Sequence, residues 1–298
     1  MAQMAPVRAY WAPSTLGECF DVLDREGDRV VVLAGGQSIL PLLKTRGLRP
    51  ECLLDLSRVE SLRSRTELSS DNGALHIGAM CRYRDLCQDP RLLTGWTALA
   101  DAAAGIGDRQ IQNRGTLGGN LVFGTVGTDM KQVAMCLDAE LHIGGSTGER
   151  SVSALELFSD PERSLLNPGE LLQLVRLPAL GPRAGSAYRK YGILVNGRPV
   201  IGIATMLALD ESGFCTSARM VVGGLVPNPR EPRSVAAALV GQRLDAELLT
   251  AAANAAAEEI RPQSDNRATS AYRRQLIRVY GLQSLALAMQ RARQGLGT

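Results

Sequence analysis

Two short glycine-rich stretches and one carboxylate are the residues of this chain best suited to chemistry. The first stretch is Leu33-Ala34-Gly35-Gly36-Gln37-Ser38. The second is Arg114-Gly115-Thr116-Leu117-Gly118-Gly119-Asn120, and Asp129 stands nine residues beyond Asn120. In the first, a β-branched run ends on two glycines and a helix-like segment begins. Glycine accepts positive φ and lets backbone N–H groups approach an anion with no Cβ in the way. A helix N-terminus adds unpaired N–H groups and the positive end of the dipole. The second stretch has three glycines, a hydroxyl and an amide, which suits a nest of successive N–H groups around a second phosphate. A carboxylate near two phosphate loops suits a ribose hydroxyl or a ring N–H. Each feature also has a plainer reading. A glycine turn is common punctuation between strand and helix, and Asp129 is placed to cap a helix. Neither stretch is Gly-x-Gly-x-x-Gly or a P-loop. Together in one domain, the two loops predict a cofactor containing a diphosphate, and spacing does not identify it.

The elements around the loops follow from periodicity. Residues 14–26 open on Ser/Thr and place Leu16, Phe20 and Leu23 at helical spacing. Residues 30–36 read as a buried strand entering a tight turn. Residues 38–47 read as a short helix with Ser38 at its cap and Pro41 near its first turn. Strands are expected at 52–57, 74–80 (half-exposed, from its alternation) and 139–145, and helices at 83–105, divided at Gly95, and at 129–139. PALGPRAGS (178–186) is a turn-rich linker. Beyond it come three antiparallel strand candidates, a proline-rich stretch at 226–235 and helices at 245–260 and 268–293. The sequence therefore predicts an N-terminal α/β domain over 1–177 and a C-terminal domain over 185–293 with strands first and helices after.

Composition narrows the function. The 298 residues are 45% hydrophobic and 21% charged, with a net charge of +3, which fits about two globular domains and argues against a dedicated nucleic-acid binder. No apolar run approaches the ~18 residues of a membrane span. Met1 to Pro13 lacks the basic-then-apolar pattern of a secretory leader, so a cytoplasmic protein is expected. With only His76 and His142, chemistry centred on a histidine network is excluded. The six cysteines at 19, 52, 81, 87, 136 and 215 include no Cys-x-x-Cys, which withholds support from zinc ribbons and cysteine-ligated iron–sulfur motifs. Cys52 and Cys136 read as small core residues. Arginines on the last helix read as a solvated or subunit-contact face.

At the two loops the sequence resembles the FAD-binding medium subunit of molybdenum-containing hydroxylases, the xanthine dehydrogenase and carbon monoxide dehydrogenase family. The carrying motifs are Ala34-Gly35-Gly36-Gln37-Ser38, Asn113-Arg114-Gly115-Thr116-Leu117-Gly118-Gly119-Asn120, and Asp129. Further along are Tyr188-Arg189-Lys190, Gly223 to Arg230, and Asp265-Asn266-Arg267-Ala268 leading into Tyr272-Arg273-Arg274. The resemblance implies an α+β fold. It comprises a vanillyl-alcohol-oxidase-type FAD-binding domain of two α/β subdomains, then a C-terminal domain with an antiparallel sheet and helices. It also implies that Leu33 to Ser38 and Thr116 to Asn120 clamp the FAD pyrophosphate. Asp129 would hold the flavin or ribityl region, Leu172 would pack near the cofactor and Lys190 would reach the flavin ring. Electrons would pass from [2Fe-2S] clusters on a small subunit to this FAD, and substrate would be hydroxylated at a molybdenum–pterin centre on a large subunit. The assembly implied is a dimer of heterotrimers.

Two departures stand out. Leu121 to Thr128 replaces a family Asn-Ala-Ser-Pro, and Ile193 and Leu194 stand where a basic pair is common. Two rival readings remain open: a self-sufficient FAD-dependent oxidoreductase of the same fold, and a non-catalytic nucleotide-binding module. The sequence leaves open both the substrate and the final acceptor, whether NAD, oxygen, a quinone or another carrier.

Overall fold

The computed structural model describes residues 7–68, 72–123, 127–160, 165–194, 197–225 and 228–294. Gly124 to Val126 of the departing segment, Val226 and Pro227, and Met1 to Pro6 lie outside them.

The chain opens with β1 (Ala9–Trp11), α1 (Leu16–Glu26), β2 (Val30–Leu33), α2 (Ile39–Lys44) and β3 (Cys52–Asp55). The three strands form a parallel sheet in the order β1-β3-β2. Helix α1 starts on a capping box, in which Thr15 accepts from the Glu18 amide and Glu18 returns the bond. It buries Cys19, Val22 and Leu23 in a small core shared with Leu54, Leu56 and Val59. The run at 30–33 reads as buried, yet all four residues are half-buried, because β2 is an edge strand paired only with β3.

A second layer begins with β4 (Arg65–Leu68) and β5 (Ala74–Gly78). Then come α3 (Tyr83–Gln88), α4 (Pro90–Thr94), α5 (Thr97–Ala104), α6 (Arg109–Gln112), α7 (Leu117–Val122), α8 (Met130–Cys136), β6 (Glu140–Gly145), β7 (Gly148–Ser153), α9 (Ala154–Ser159) and β8 (Leu171–Leu177). The strands make a five-stranded sheet in the order β4-β5-β8-β6-β7, antiparallel throughout. The expected helix at 83–105 is three helices. Pro90 begins α4 with Asp89 accepting from the Arg91 amide, and Gly95 closes it.

The C-terminal part is β9 (Ala184–Tyr191), β10 (Ile201–Leu209), β11 (Cys215–Gly223), α10 (Arg233–Leu239), α11 (Ala246–Glu259) and α12 (Ser270–Gln294). Its strands form an antiparallel sheet with β10 central. Alternation divides the sheet between two cores. Ala187, Ile203, Met220 and Val222 face the helices of their own domain. Tyr188, Ala204 and Val221 belong instead to the main core of the N-terminal domain. Helix α8 packs on β10 and β11, and α5 packs on β9. The bidentate pair between Arg291 and Asp101 (2.6 and 2.9 Å) ties α12 to α5 across the same seam. Among the described residues, no helix is long and apolar enough to cross a membrane.

Candidate cofactor-binding site

The two glycine loops come from different layers and meet backbone to backbone. The first, Ala34 to Ser38, leaves the C-terminal end of β2 and leads into α2. The second leads into α7. An ideal Cβ on Gly35 would lie 2.1 Å from the Arg114 carbonyl oxygen and 2.9 Å from the Gly115 Cα. One on Gly119 would lie 2.8 Å from the Thr116 Oγ1 and 3.6 Å from the Ala34 Cβ. No side chain fits at Gly35, whose bare Cα abuts the backbone of Arg114 and Gly115. Gly36 sits at φ +74°, in the left-handed region that glycine adopts without strain.

The loops differ in what their backbones offer. In the second, the Leu117 amide donates to the Cys81 carbonyl (2.9 Å) and the Gly118 amide to that of Ala79 (2.8 Å). The Gly119 amide donates to Thr116 Oγ1 (3.2 Å) and that of Asn120 to the Thr116 carbonyl (3.2 Å). These four amides already have acceptors, so they do not form the expected nest. Thr116 caps α7. Asn120 ties α7 to its neighbours, donating to the Tyr83 hydroxyl and accepting from the Met130 amide, both at 3.1 Å. In the first loop, Ser38 occupies the N-cap position of α2 with no side-chain bond to the helix, which leaves its hydroxyl for a ligand. The Gln37 amide group folds back onto the Gly35 carbonyl (3.1 Å).

Of the other expected site residues, Asp129 and Lys190 meet at the domain seam. Asp129 precedes α8 but makes no side-chain cap. Its Oδ1 instead accepts from the Tyr188 hydroxyl (2.7 Å) and pairs with the Lys190 ammonium (3.1 Å). Lys190 also donates to the Gly197 carbonyl (3.1 Å). Asp129 is only 5% exposed. Burial pushes its carboxyl above the ordinary range, against the pull of Lys190 and of the Tyr188 hydrogen bond. Burial and the neighbouring carboxylate push the Tyr188 phenol far above its usual value. Leu172 is buried on β8 opposite Ile143, and α7 packs against that strand. Asn120, bonded to the Met130 amide, joins the α7 loop to the residue after Asp129.

Sequence reasoning passed over two members of this seam. Tyr188 lies in a family motif that gives it no role, and Gln132 lies in no motif. A signal for Gln132 was present: it is a polar residue among Met130, Val133, Ala134 and Met135, all of which are buried.

This arrangement fits a long, two-ended cofactor. A side-chain-free junction suits a pyrophosphate, and a buried carboxylate–ammonium pair suits a polar ring edge.

Comparison with known proteins gives a consistent answer. Residues 3–180 match the family described as FAD binding domain in molybdopterin dehydrogenase, and residues 182–286 match CO dehydrogenase flavoprotein C-terminal domain. Subunit alpha of the 6-hydroxypseudooxynicotine dehydrogenase complex of Paenarthrobacter nicotinovorans is 32% identical, over 90% of this chain and 89% of its own. The carbon monoxide dehydrogenase medium chain of Hydrogenophaga pseudoflava is also 32% identical, over 91% and 93%. A solved carbon monoxide dehydrogenase structure from that organism superposes with a TM-score of 0.89 at 30% identity, covering 97% of this chain and 99% of the other.

Proposed function

The chain belongs to the FAD-binding-domain family of molybdopterin dehydrogenases, and from that premise we propose that it is the FAD-carrying subunit of a heteromeric molybdenum hydroxylase. In this reading electrons arrive from iron–sulfur clusters on a small subunit, substrate is hydroxylated on a large molybdenum-binding subunit, and an external acceptor takes the electrons away. The domains are 1–177 for FAD and 185–293 for the C-terminal flavoprotein unit. The assembly is a dimer of heterotrimers in the cytoplasm. FAD, when bound, supplies one-electron acceptance and two-electron release.

The protein's own residues have separable tasks. Leu33 to Ser38 hold the pyrophosphate through backbone amides and the Ser38 hydroxyl. Thr116, Gly118, Gly119 and Asn120 shape the opposite wall and admit the phosphates closely. Asp129 and Lys190 hold the polar edge of the ring, with Leu172 packing near the cofactor. Lys190 places a cation where negative charge gathers on reduction.

The observation that carries this reading is the contact of Gly35 with Arg114, which joins the two loops into one wall-to-wall junction. Titrating the full chain with FAD tests it. Saturable binding near one FAD per chain, together with recovery of small and large partner subunits on co-expression, is expected. A chain that binds no FAD at tens of micromolar would contradict the proposal. Substrate choice lies elsewhere: relatives equally identical to this chain are named for a nicotine derivative and for carbon monoxide.

A further inference from the structure

The C-terminal sheet contains a trough cut to receive polar groups. Lys190 on β9, Gly202 on β10 and Gly223 on β11 stand side by side in one row of the sheet. Tyr188 lies two residues before Lys190, hence on the same face. An ideal Cβ on Gly202 would lie 2.2 Å from the Tyr188 hydroxyl oxygen and 2.8 Å from the Gln132 Nε2. One on Gly223 would lie 2.4 Å from the Gln132 Cδ. The glycines therefore make room for two side chains, one from each domain. Gln132 enters from α8 with no exposure at all and donates to the Tyr188 hydroxyl (3.1 Å). That hydroxyl donates onward to Asp129 (2.7 Å), which pairs with Lys190.

This chain of contacts is costly. Among the described residues, the Gln132 Oε1 is buried without a partner, a loss that an apolar side chain in the same trough would avoid. Packing alone does not explain a polar residue there. What the polar pair does is fix a hydroxyl at one point beside a buried carboxylate.

We propose that Tyr188 and Gln132 are positioning residues for the Asp129–Lys190 pair. From the glycine trough they fix where the Asp129 carboxylate stands and hold it in its charged form, and so set the ring-end contacts of bound FAD. The inference rests on the reading that Asp129 and Lys190 face the flavin. Among the described residues, the groups facing Asp129 are Lys190 and Tyr188 on β9 and, more distantly, Tyr83 on α3. Both phenols are held above their ordinary range by burial.

The test is the midpoint potential of FAD on the full chain, measured against pH. Protonation of Asp129 gives an inflection in that curve. Tyr188→Phe removes the hydroxyl that favours the charged carboxylate, so the inflection moves up by about one pH unit. Gln132→Leu fills the trough and removes the donor that polarises the phenol, so the inflection moves the same way by less. A structural role alone would alter the melting temperature and leave the inflection in place. Retention of FAD with an unmoved inflection in both variants overturns the proposal. Should Tyr188→Phe fail to load FAD, Gln132→Leu decides by the same criterion. Asp129→Asn separates the two readings: an inflection that persists in it defeats the placement of Asp129 at the flavin, whereas its disappearance leaves the positioning claim to the other variants.

Discussion

At the junction of the two loops Gly35 abuts the Arg114 carbonyl, and Gly119 lies beside the Thr116 hydroxyl and Ala34; what this end offers a ligand is shape and backbone. At the seam between α8 and the C-terminal sheet the residues in contact are Asp129, Lys190, Tyr188 and Gln132, and what this end offers is buried charge. In the proposed reading, the same fold holds the two ends of one elongated ligand by opposite means. A steric site fails abruptly when a single atom is added. An electrostatic site fails by degrees, and its failure depends on pH.

The largest effect is expected where the contact is tightest. Gly35→Val places its Cβ about 2.1 Å from a backbone oxygen, and a carbonyl cannot rotate away as a side chain does. Overpacking of this kind costs ~1–3 kcal/mol or occasionally more, and a loop displaced to relieve it loses FAD affinity by up to ~100-fold. Titration of the variant with FAD checks it. Near-normal affinity would show that the loops are not one junction.

Next comes the buried pair. Lys190→Met leaves Asp129 without its cation, and a stranded buried charge costs ~3–5 kcal/mol unless it takes up a proton. The variant should melt markedly lower at neutral pH, and its bound FAD should show a more negative potential because the cation is gone. Adding Asp129→Asn removes the charge that was stranded. The double variant should therefore recover most of the lost stability, with a coupling of at least ~2 kcal/mol in thermal or denaturant unfolding. Additive losses would mean that the pair does not act as a unit.

Gly119→Ala probes the loops again, at a looser contact. The new Cβ meets the Thr116 Oγ1 at 2.8 Å and the Ala34 Cβ at an ordinary 3.6 Å. The Thr116 hydroxyl caps α7 through the Gly119 amide, so crowding it weakens one cap, ~1 kcal/mol. A loss of FAD affinity of several-fold is expected in the same titration, far below that of Gly35→Val. Equal losses would erase the gradient between the two contacts.

The steric end was legible in the sequence because its demands are local. Gly35, Gly36, Gly118 and Gly119 announce themselves by type and adjacency; at Gly35 and Gly118 a Cβ is excluded, and Gly36 takes a left-handed backbone. The sequence still overstated the second loop. The amides of Leu117 to Asn120 are taken up by Cys81, Ala79 and Thr116, partners that no spacing rule supplies. The charged end is spread over α8, β9, β10 and β11, and pattern alone does not bring Asp129 to Lys190; family resemblance does. Gln132 escaped because a lone polar residue in an apolar helix reads as a surface position until Gly202 and Gly223 are known to lie opposite it. In the fold, β8 was missed although it is central to the five-stranded sheet. Its residues 171–177, LLQLVRL, lack strict alternation. The three-way break of residues 83–105 was half seen, at Gly95 but not at Pro90.

A pH-dependent effect separates the seam from an ordinary ion pair. Glu170 is bonded through both carboxylate oxygens to Arg150 (2.7 and 2.8 Å), and that pair, helped by Asn167, pulls its carboxyl down to about 2. A lowered carboxyl contributes stability that is complete above its unfolded value near 4.5 and is lost as pH falls toward 2. Asp129 has the opposite sign. Its carboxyl is raised, so its charged form opposes folding, and acidification relieves that opposition. Glu170→Gln should therefore flatten the fall of stability between pH 4.5 and 2 by ~1–2 kcal/mol, allowing for solvent screening at a partly exposed pair. Asp129→Asn should leave that acid limb unchanged and flatten the curve at higher pH. Unfolding measured across this range, with both variants responding in the same limb, would show that the seam carboxylate is an ordinary structural ion pair and would remove the contrast between the two ends of the site.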